Sequence, residues 1–146
     1  MKAHALVRAE INGLIKEVDQ GAYADHAKGT MIALRWRSCP ETAGRSCRWC
    51  PRGHGPYWFY YYWVNNKRGV VRPRSVRIAK ITHRELLSVV GHTRGYHVLK
   101  AYDERLQPLR KRMALIREAV RKIDAALRVA ENALGKSGFD LDSLEG

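Results

Sequence analysis

Three cysteines and one histidine lie within sixteen residues of one another, in a segment that also contains glycine and proline. They follow the spacing C-x7-C-x2-C-x3-H and include every cysteine of the chain. Thiolate sulfur and imidazole nitrogen are preferred ligands of a structural zinc ion, which takes four of them in a tetrahedron. A metal can also order a loop that has little apolar content of its own. The spacing predicts a zinc site with these ligands: Cys39, Cys47, Cys50 and His54.

Other interpretations of the same residues stay open. Only one C-x2-C pair is present, formed by Cys47 and Cys50, so the spacing is not that of a standard zinc finger. Cys39 also suits a small buried position that closes a strand, and His54 suits the cap of a turn. Neighbouring arginines would favour reactive thiolates and hence redox chemistry, but no thioredoxin-like strand and helix follow.

Seven consecutive aromatic residues, 57–63, follow His54 almost directly. In a strand the side chains alternate between two faces, so one face of this segment is expected to be core and the other accessible. Accessible aromatic rings beside arginines suit base stacking combined with phosphate contacts. We assign the accessible face to Tyr60 and Tyr62, together with Trp58.

The basic residues are concentrated in the same part of the chain. The net charge is +13, and residues 28–80 hold twelve Lys and Arg against the single acid Glu41. Repulsion among so many uncompensated positive charges lowers the stability of the folded chain, and a polyanionic partner would relieve it. We therefore expect contact with DNA or RNA. The candidate nucleic-acid-binding residues are Arg35, Arg37, Arg45, Arg48, Arg52, Tyr60, Tyr62, Lys67, Arg68, Arg72, Arg74 and Arg77.

Hydrophobic periodicity predicts the elements that position these residues. Apolar residues three and four apart predict a helix over 3–18 that ends near Gln20. Alternation predicts a strand over 31–38, and two further strands over 57–64 and 70–78 flank a turn rich in Asn and Gly. Pro73 lacks an N–H donor, which makes the last strand an edge strand. Thr82 and Glu85 resemble a capping box that begins a short helix.

The last third of the chain carries a longer helical pattern. Apolar residues recur at alternating steps of three and four from Leu99 to Leu134, which is typical of a coiled coil. Pro108 lies inside the pattern and predicts a kink or a restart of the helix. Like charges at flanking positions disfavour a parallel homodimer, so we expect antiparallel packing on the first helix. Self-association through the part that outruns that helix is the other expectation.

Some classes of protein are disfavoured. No apolar run is long enough to span a membrane, and the N-terminus lacks a hydrophobic signal core, so we expect a cytoplasmic protein. No paired carboxylates accompany the basic region, and there is no phosphate-binding glycine loop and no Ser-His-Asp arrangement. We therefore expect no enzymatic activity.

The order of Cys39, Cys47 and Cys50, then the His-Gly-Pro-Tyr sequence at 54–57, then an aromatic strand and a basic strand resembles an uncharacterised prokaryotic family, a domain of unknown function. The resemblance spans about residues 5–130 in layout. It implies a short N-terminal helix, a cysteine-rich loop, a basic strand and a helical tail. The cysteines of that family are more tightly spaced, and the family implies no activity.

Together these patterns predict an α+β fold: a small antiparallel sheet of about three strands, an N-terminal helix, a Cys/His-rich loop and a long C-terminal helix. We expect a compact module over 1–95 with the loop at 39–56, a helical arm over 96–135 and a flexible acidic tail over 136–146. The predicted function is nucleic-acid binding, with possible stabilisation by zinc. The alternative is an adaptor or inhibitor that docks on another protein through the helical arm.

Overall fold

A computed structural model describes residues 2–21, 24–25, 29–39 and 54–136 of the 146-residue chain. The side chains of residues 24–25 are outside this description. The elements in chain order are α1 (Lys2–Gln20), β1 (Ala24–Asp25), β2 (Thr30–Arg37), β3 (His54–Asn65), β4 (Val71–Ile78), α2 (His83–Val89) and α3 (Tyr96–Lys136).

The four strands form one antiparallel sheet in the order β1-β2-β3-β4. Three of the strands are long and β1 has two residues, so the predicted α+β fold with about three strands is confirmed. Within the described residues β4 is an edge strand, as predicted, and its Pro73 lies opposite Trp63. Because a proline lacks an N–H donor, the edge is where the sheet tolerates it.

The helices cover one face of the sheet. Leu34 of β2, Trp58 of β3 and Ile78 of β4 are register partners across three strands, and all three are buried. They pack in one core with the apolar stripe of α1, whose buried members include Val7 and Ile11. The predicted helix 3–18 and its end near Gln20 are thus confirmed.

The expectation that Trp58 lies on the accessible face is wrong. Trp58 is 2% exposed, and its indole Nε1 donates to Asp103 of α3 at 3.0 Å. Tyr60, two residues on, also packs against the core, and Tyr62 is half-buried. Alternation divided the strand correctly into two faces. The helices pack on the face that contains Trp58, because the register partners of Trp58 in β2 and β4 are aliphatic. On the other face, the β4 partner of Phe59 is the charged Arg77.

The α3 helix is continuous from Tyr96 to Lys136 and contains Pro108, so the predicted restart does not occur. A proline removes the hydrogen bond to the carbonyl four residues earlier, here Glu104. Both Pro108 and Glu104 are exposed, so water can satisfy that carbonyl. The Thr82 cap is confirmed, since the Thr82 hydroxyl accepts from the Glu85 backbone N–H and begins α2. The reciprocal bond of a capping box is not formed, because the Glu85 carboxylate accepts from the Ala79 backbone N–H and not from that of Thr82.

The α1 and α3 helices pack antiparallel, as predicted. Arg105 donates to Glu17 at 2.7 Å, and Arg112 donates to Glu10 at 3.2 Å. The residue later in α3 pairs with the residue earlier in α1, which shows that the two helices run in opposite directions. The first half of α3 therefore shares the core of the expected module 1–95, with Leu106 fully buried. None of the described helices has an apolar stretch long enough to cross a lipid bilayer.

Candidate nucleic-acid interface

The hairpin of β3 and β4 is basic and has no acidic residue. Residues 54–84 contain seven Lys and Arg and no Asp or Glu. These seven residues are Lys67, Arg68, Arg72, Arg74, Arg77, Lys80 and Arg84. The turn that joins the strands is ordered by Asn66, whose amide oxygen accepts from the backbone N–H groups of Arg68 and Val70 at 2.9 Å. The turn thus projects Lys67 and Arg68 at the tip.

The arginines of β4 lie on both faces of the hairpin. Arg72 is the register partner of Val64, and Arg74 is the register partner of Tyr62. Both arginines lie on the same face of the sheet as Trp58. Arg77 is the partner of Phe59, on the opposite face. All three are exposed. The helices cover only the end of the hairpin nearest Ile78, so they leave Arg72 and Arg74 accessible, and Arg77 lies on the face opposite the helices. The predicted edge strand carries exposed arginines, and they lie on both faces of the sheet.

On the face opposite the helices, two arginines lie over aromatic rings. The Arg37 guanidinium is 4.2 Å from the centre of the Phe59 ring, and the Arg77 guanidinium is 4.0 Å from the centre of the Tyr57 ring. Each contact of this kind is worth roughly 0.5–1 kcal/mol at an exposed site. We call the set Arg37, Tyr57, Phe59, Tyr61 and Arg77 the arginine–aromatic face.

Hydrogen bonds fix Arg37 further. Its guanidinium donates to the Ser75 hydroxyl at 3.1 Å and to the Tyr61 hydroxyl at 3.4 Å. Ser75 and Tyr61 are register partners on neighbouring strands, so three strands converge on this one guanidinium. A guanidinium has five N–H donors, and these two bonds leave donors for an anion. Arg37 is therefore held in place before any ligand arrives.

The charges of this surface are not neutralised by acids within the described chain. No described carboxylate forms an ion pair with Arg37, Arg72, Arg74 or Arg77. Arg35, which the sequence placed in the same group, differs from them. Its guanidinium pairs with Asp19 of α1 at 2.9 Å, so it ties β2 to the helix layer.

Among the aromatic residues, Trp63 is the one that sequence reasoning missed as a binding residue. Trp63 is 54% exposed, whereas Phe59 is buried and the other rings of the strand are at most half-exposed. A β-carbon at Gly29 would lie 2.6 Å from Trp63 Cδ1, so only glycine allows β2 to approach the ring this closely. Alternation places Trp63 on one face with Phe59, but the sequence does not show which rings of that face are covered.

The structure brings together two of the four predicted zinc ligands. Arg37 and His54 are register partners where β2 ends and β3 begins, and Cys39 Sγ lies 3.0 Å from His54 Nε2. Two ligands of one tetrahedral zinc are separated by about 3.5 Å, given zinc–ligand distances of about 2.0–2.3 Å. The pair has both the chemistry and nearly the spacing of half a zinc site.

The other predicted ligands, Cys47 and Cys50, lie outside the described residues, as do Arg45, Arg48 and Arg52. Across the ranges that are described, no group of three or more His, Cys, Asp and Glu is arranged to hold a metal. The zinc site stays a prediction, and the role of the three loop arginines stays one too.

A cleft of about 650 Å³ separates the start of β3 from α3. Its charged lining is mixed, with Arg110, Arg117 and Arg121 beside Glu118 and Asp124. Arg121 donates to Glu118 at 2.6 Å, which lowers the pKa of that carboxyl, and Arg110 donates to the Pro56 carbonyl. Burial lowers the pKa of Arg110. Because acids accompany these arginines, the cleft attracts an anion less strongly than the hairpin does.

Comparison with protein-family profiles, with curated proteins and with solved structures finds no significant match. The resemblance noted from the sequence therefore stays a prediction, and function has to be argued from the geometry.

Proposed function

We propose that this protein binds nucleic acid through the β3–β4 hairpin and the arginine–aromatic face. The observation that carries the proposal is a set of ordered, exposed guanidinium groups without carboxylate partners among the described residues. Guanidinium is the side-chain group best matched to phosphate, because its planar fork donates two parallel hydrogen bonds. A polymer of phosphates can satisfy several such groups at once.

The exposed tryptophan favours single-stranded nucleic acid as the ligand. Trp63 lies on the same face as Arg77 by strand alternation, because it is four residues along β3 from Phe59, the register partner of Arg77. Stacking one base on an aromatic side chain contributes roughly 1–3 kcal/mol and tolerates any sequence. Phosphate contacts by Arg37 and Arg77 combined with stacking on Trp63 match this mode of recognition.

Zinc is proposed as a structural element of the same region. The Cys39 thiolate and the His54 imidazole supply soft ligands where the loop 40–53 leaves and rejoins the sheet. A structural ion there would tie the two ends of the loop together and so position Arg37, which is two residues from Cys39. The cytoplasm, which keeps thiols reduced and contains nucleic acid, is the proposed location.

A salt titration tests the proposal. The affinity for a labelled single strand, a duplex and a structured RNA is measured by fluorescence anisotropy, using protein of known zinc content. We expect log K to fall linearly with log salt concentration, with the single strand bound most tightly. No binding at low salt would overturn the proposal, and a preference for duplex would overturn the stacking part of it.

A matched pair of variants separates the hairpin from net charge. The change Arg72→Glu with Arg74→Glu reverses two hairpin charges. The change Lys16→Glu with Lys111→Glu alters the net charge by the same amount at exposed helix positions. We expect the first pair to weaken binding at least about 30-fold, because phosphates approach the hairpin, and the second pair to weaken it only a few-fold. Equal losses would contradict the assignment to the hairpin.

The alternative function is docking on another protein through the helical arm, and the exposed Ile123 and Leu127 near the end of α3 support it. Ile116 packs against the core, so a charged residue there would unfold the protein rather than report on a partner. Ile123 is exposed and is the informative position.

A further inference from the structure

The apolar stripe of α3 continues past the helix that covers it. Along α3 the residues Leu99, Leu106, Met113 and Val120 are buried, with Val120 7% exposed. The next positions of the same stripe, Ile123 and Leu127, are 59% and 55% exposed. The stripe goes on through Ala130, which is exposed, to Leu134, which is half-buried. The change from buried to exposed falls between Val120 and Ile123.

The start of α1 explains this change. The ion pairs match Glu17 to Arg105 and Glu10 to Arg112, so seven residues back along α1 correspond to seven residues forward along α3. By the same register Lys2, the first residue of α1, lies opposite Val120. The part of α3 from 121 to 136, which we call the overhang, extends about 24 Å beyond α1 at 1.5 Å per residue.

We propose that the overhang pairs antiparallel with the overhang of a second copy of this chain. A parallel arrangement is excluded by sterics, because α1 already occupies the stripe below Val120 in both copies and α3 is one continuous helix. An antiparallel second overhang would lie along α3 directly beyond the N-terminus of α1. Like α1, it would run in the direction opposite to α3. The interface would continue the α1–α3 contact rather than begin a new one.

The sequence of the overhang fits this arrangement. In a two-fold antiparallel pair, Ile123 packs on Leu134 of the partner subunit, and Leu127 packs on Ala130 of the partner subunit. The flanking positions on one side are Ala126 and Ala133, which let the helices approach closely. The pairing buries the two large exposed members of the stripe, Ile123 and Leu127, and this burial is its driving force.

Charge makes the association weak and sensitive to salt. On the other flank, Asp124 of one copy and Glu131 of the partner subunit lie side by side, and the two bodies are both strongly basic. Like charges at flanking positions disfavour pairing, and salt screens them. The interface is also smaller than the roughly 800 Å² per partner of a standard complex. We therefore expect dimers only at high protein concentration, with tighter association as salt rises.

The salt response distinguishes this inference from nucleic-acid binding, which salt weakens. A dimer would carry two basic hairpins. A long nucleic acid that spans both would bind more tightly, because contact with the first hairpin raises the effective concentration of the nucleic acid at the second. That consequence rests on the proposed function, whereas the pairing itself does not.

Sedimentation velocity over a concentration series tests the pairing, at about 0.1 M and about 0.5 M salt. We expect the wild type to shift toward dimer with concentration, more so at the higher salt, and Ile123→Asp with Leu127→Asp to remain monomeric. The control is Val129→Asp, because Val129 is an even more exposed apolar residue of the overhang that lies off the stripe. It is expected to dimerise like the wild type. Helical circular dichroism confirms that each variant is folded.

A monomeric wild type up to about 1 mM would overturn the proposal, as would loss of the dimer in Val129→Asp alone. Orientation is tested by a short lysine-specific cross-linker on a mixture of ¹⁴N- and ¹⁵N-labelled protein. The antiparallel pair predicts mixed-isotope links between Lys122 and Lys136 of the partner subunit. Mixed-isotope links between the two copies of Lys122 would indicate a parallel pair and overturn the proposal. Unchanged nucleic-acid affinity of the Ile123→Asp, Leu127→Asp variant for a short strand would leave the proposed function standing in either case.

Discussion

Arginine is used differently in the two halves of this fold. On the helix layer, Arg105 and Arg112 of α3 are paired with carboxylates of α1. On the arginine–aromatic face, Arg37 and Arg77 lie over aromatic rings, and no described carboxylate pairs with them. An ion pair neutralises the charge, whereas a ring positions the guanidinium and leaves its charge in place. The comparison separates arginines that set helix register from arginines suited to bind a phosphate.

The helix pairs have a structural consequence. Glu10 and Glu17 are seven residues apart on α1, as Arg112 and Arg105 are on α3, so the two pairs fix one antiparallel register. Exposed ion pairs contribute little to stability, and specifying register is their better use. The hairpin has no such acids, so no carboxylate of the hairpin offsets the repulsion among its charges.

The largest expected effect concerns the covered and uncovered parts of α3. Replacement of the buried Leu106 by alanine should lower the free energy of unfolding by about 2–5 kcal/mol, because it leaves a cavity between α1, α3 and the sheet. Leu127→Ala, on the overhang, should change it by less than about 0.5 kcal/mol in the monomer. Urea unfolding followed by circular dichroism measures both. A similar loss in the two variants would show that the overhang is covered after all.

Removing the two ring-bound guanidinium groups should weaken binding strongly and lower stability only by about the 0.5–1 kcal/mol of each ring contact. The double variant Arg37→Ala, Arg77→Ala is expected to bind a labelled single strand about 10- to 100-fold more weakly, because two phosphate contacts are lost. The matched variant Arg105→Ala, Arg112→Ala should bind like the wild type but unfold at a slightly lower temperature. Anisotropy and thermal melts on both proteins measure the contrast. If the helix pair weakened binding as much, the division between the two groups of arginine would fail.

A smaller effect is expected from replacing the guanidinium but keeping the charge. Arg77→Lys retains one positive charge but loses the planar contact with the Tyr57 ring. We expect a loss of affinity of about three- to tenfold with little change in the salt slope, whereas Arg77→Gln should reduce the slope by about one. Salt titrations of the three proteins distinguish these cases. An Arg77→Lys protein that binds like the wild type would mean that charge alone matters at this position.

The smallest effect concerns pH. The hydrogen bond from Arg105 lowers the pKa of Glu17 in the folded protein. The folded state therefore binds this proton less readily than the unfolded chain, where the pKa is about 4.3. The stabilisation is present above that pH and is lost as the pH falls toward the lowered pKa. We expect the difference in urea midpoint between wild type and Glu17→Gln to shrink between about pH 6 and about pH 3. A constant difference would contradict this linkage.

Much of the fold was predictable because its signals are local. The stripe of α1, the Thr82 cap and the edge position of β4 each depend on residues a few positions apart, and each is confirmed. The antiparallel packing of α1 on α3 was predictable from the flanking charges. The continuity of α3 through Pro108 was not, because the cost of a proline depends on whether the freed carbonyl meets water or the core.

The candidate site was predictable in composition but not in arrangement. Sequence identified Arg37 and Arg77 as surface cations, yet their contacts with Phe59 and Tyr57 depend on the register of three strands. It also grouped Arg35 with them, and the pairing of Arg35 with Asp19 follows from the position of α1 over the sheet.

The amino-acid sequence by itself determined the elements, the basic and acid-free character of the hairpin and the two-faced alternation of β3. These follow from side-chain type and spacing, which act over a few residues. The tertiary structure alone decided that Trp58 is buried and Trp63 exposed, and that Ile123 and Leu127 of the α3 stripe are exposed beyond Val120. Alternation in a strand produces two faces without indicating which one is buried. The apolar stripe of a helix likewise does not show how far along it a partner helix extends. The choice between faces, and the length of the overhang, are set by long-range packing of apolar surface.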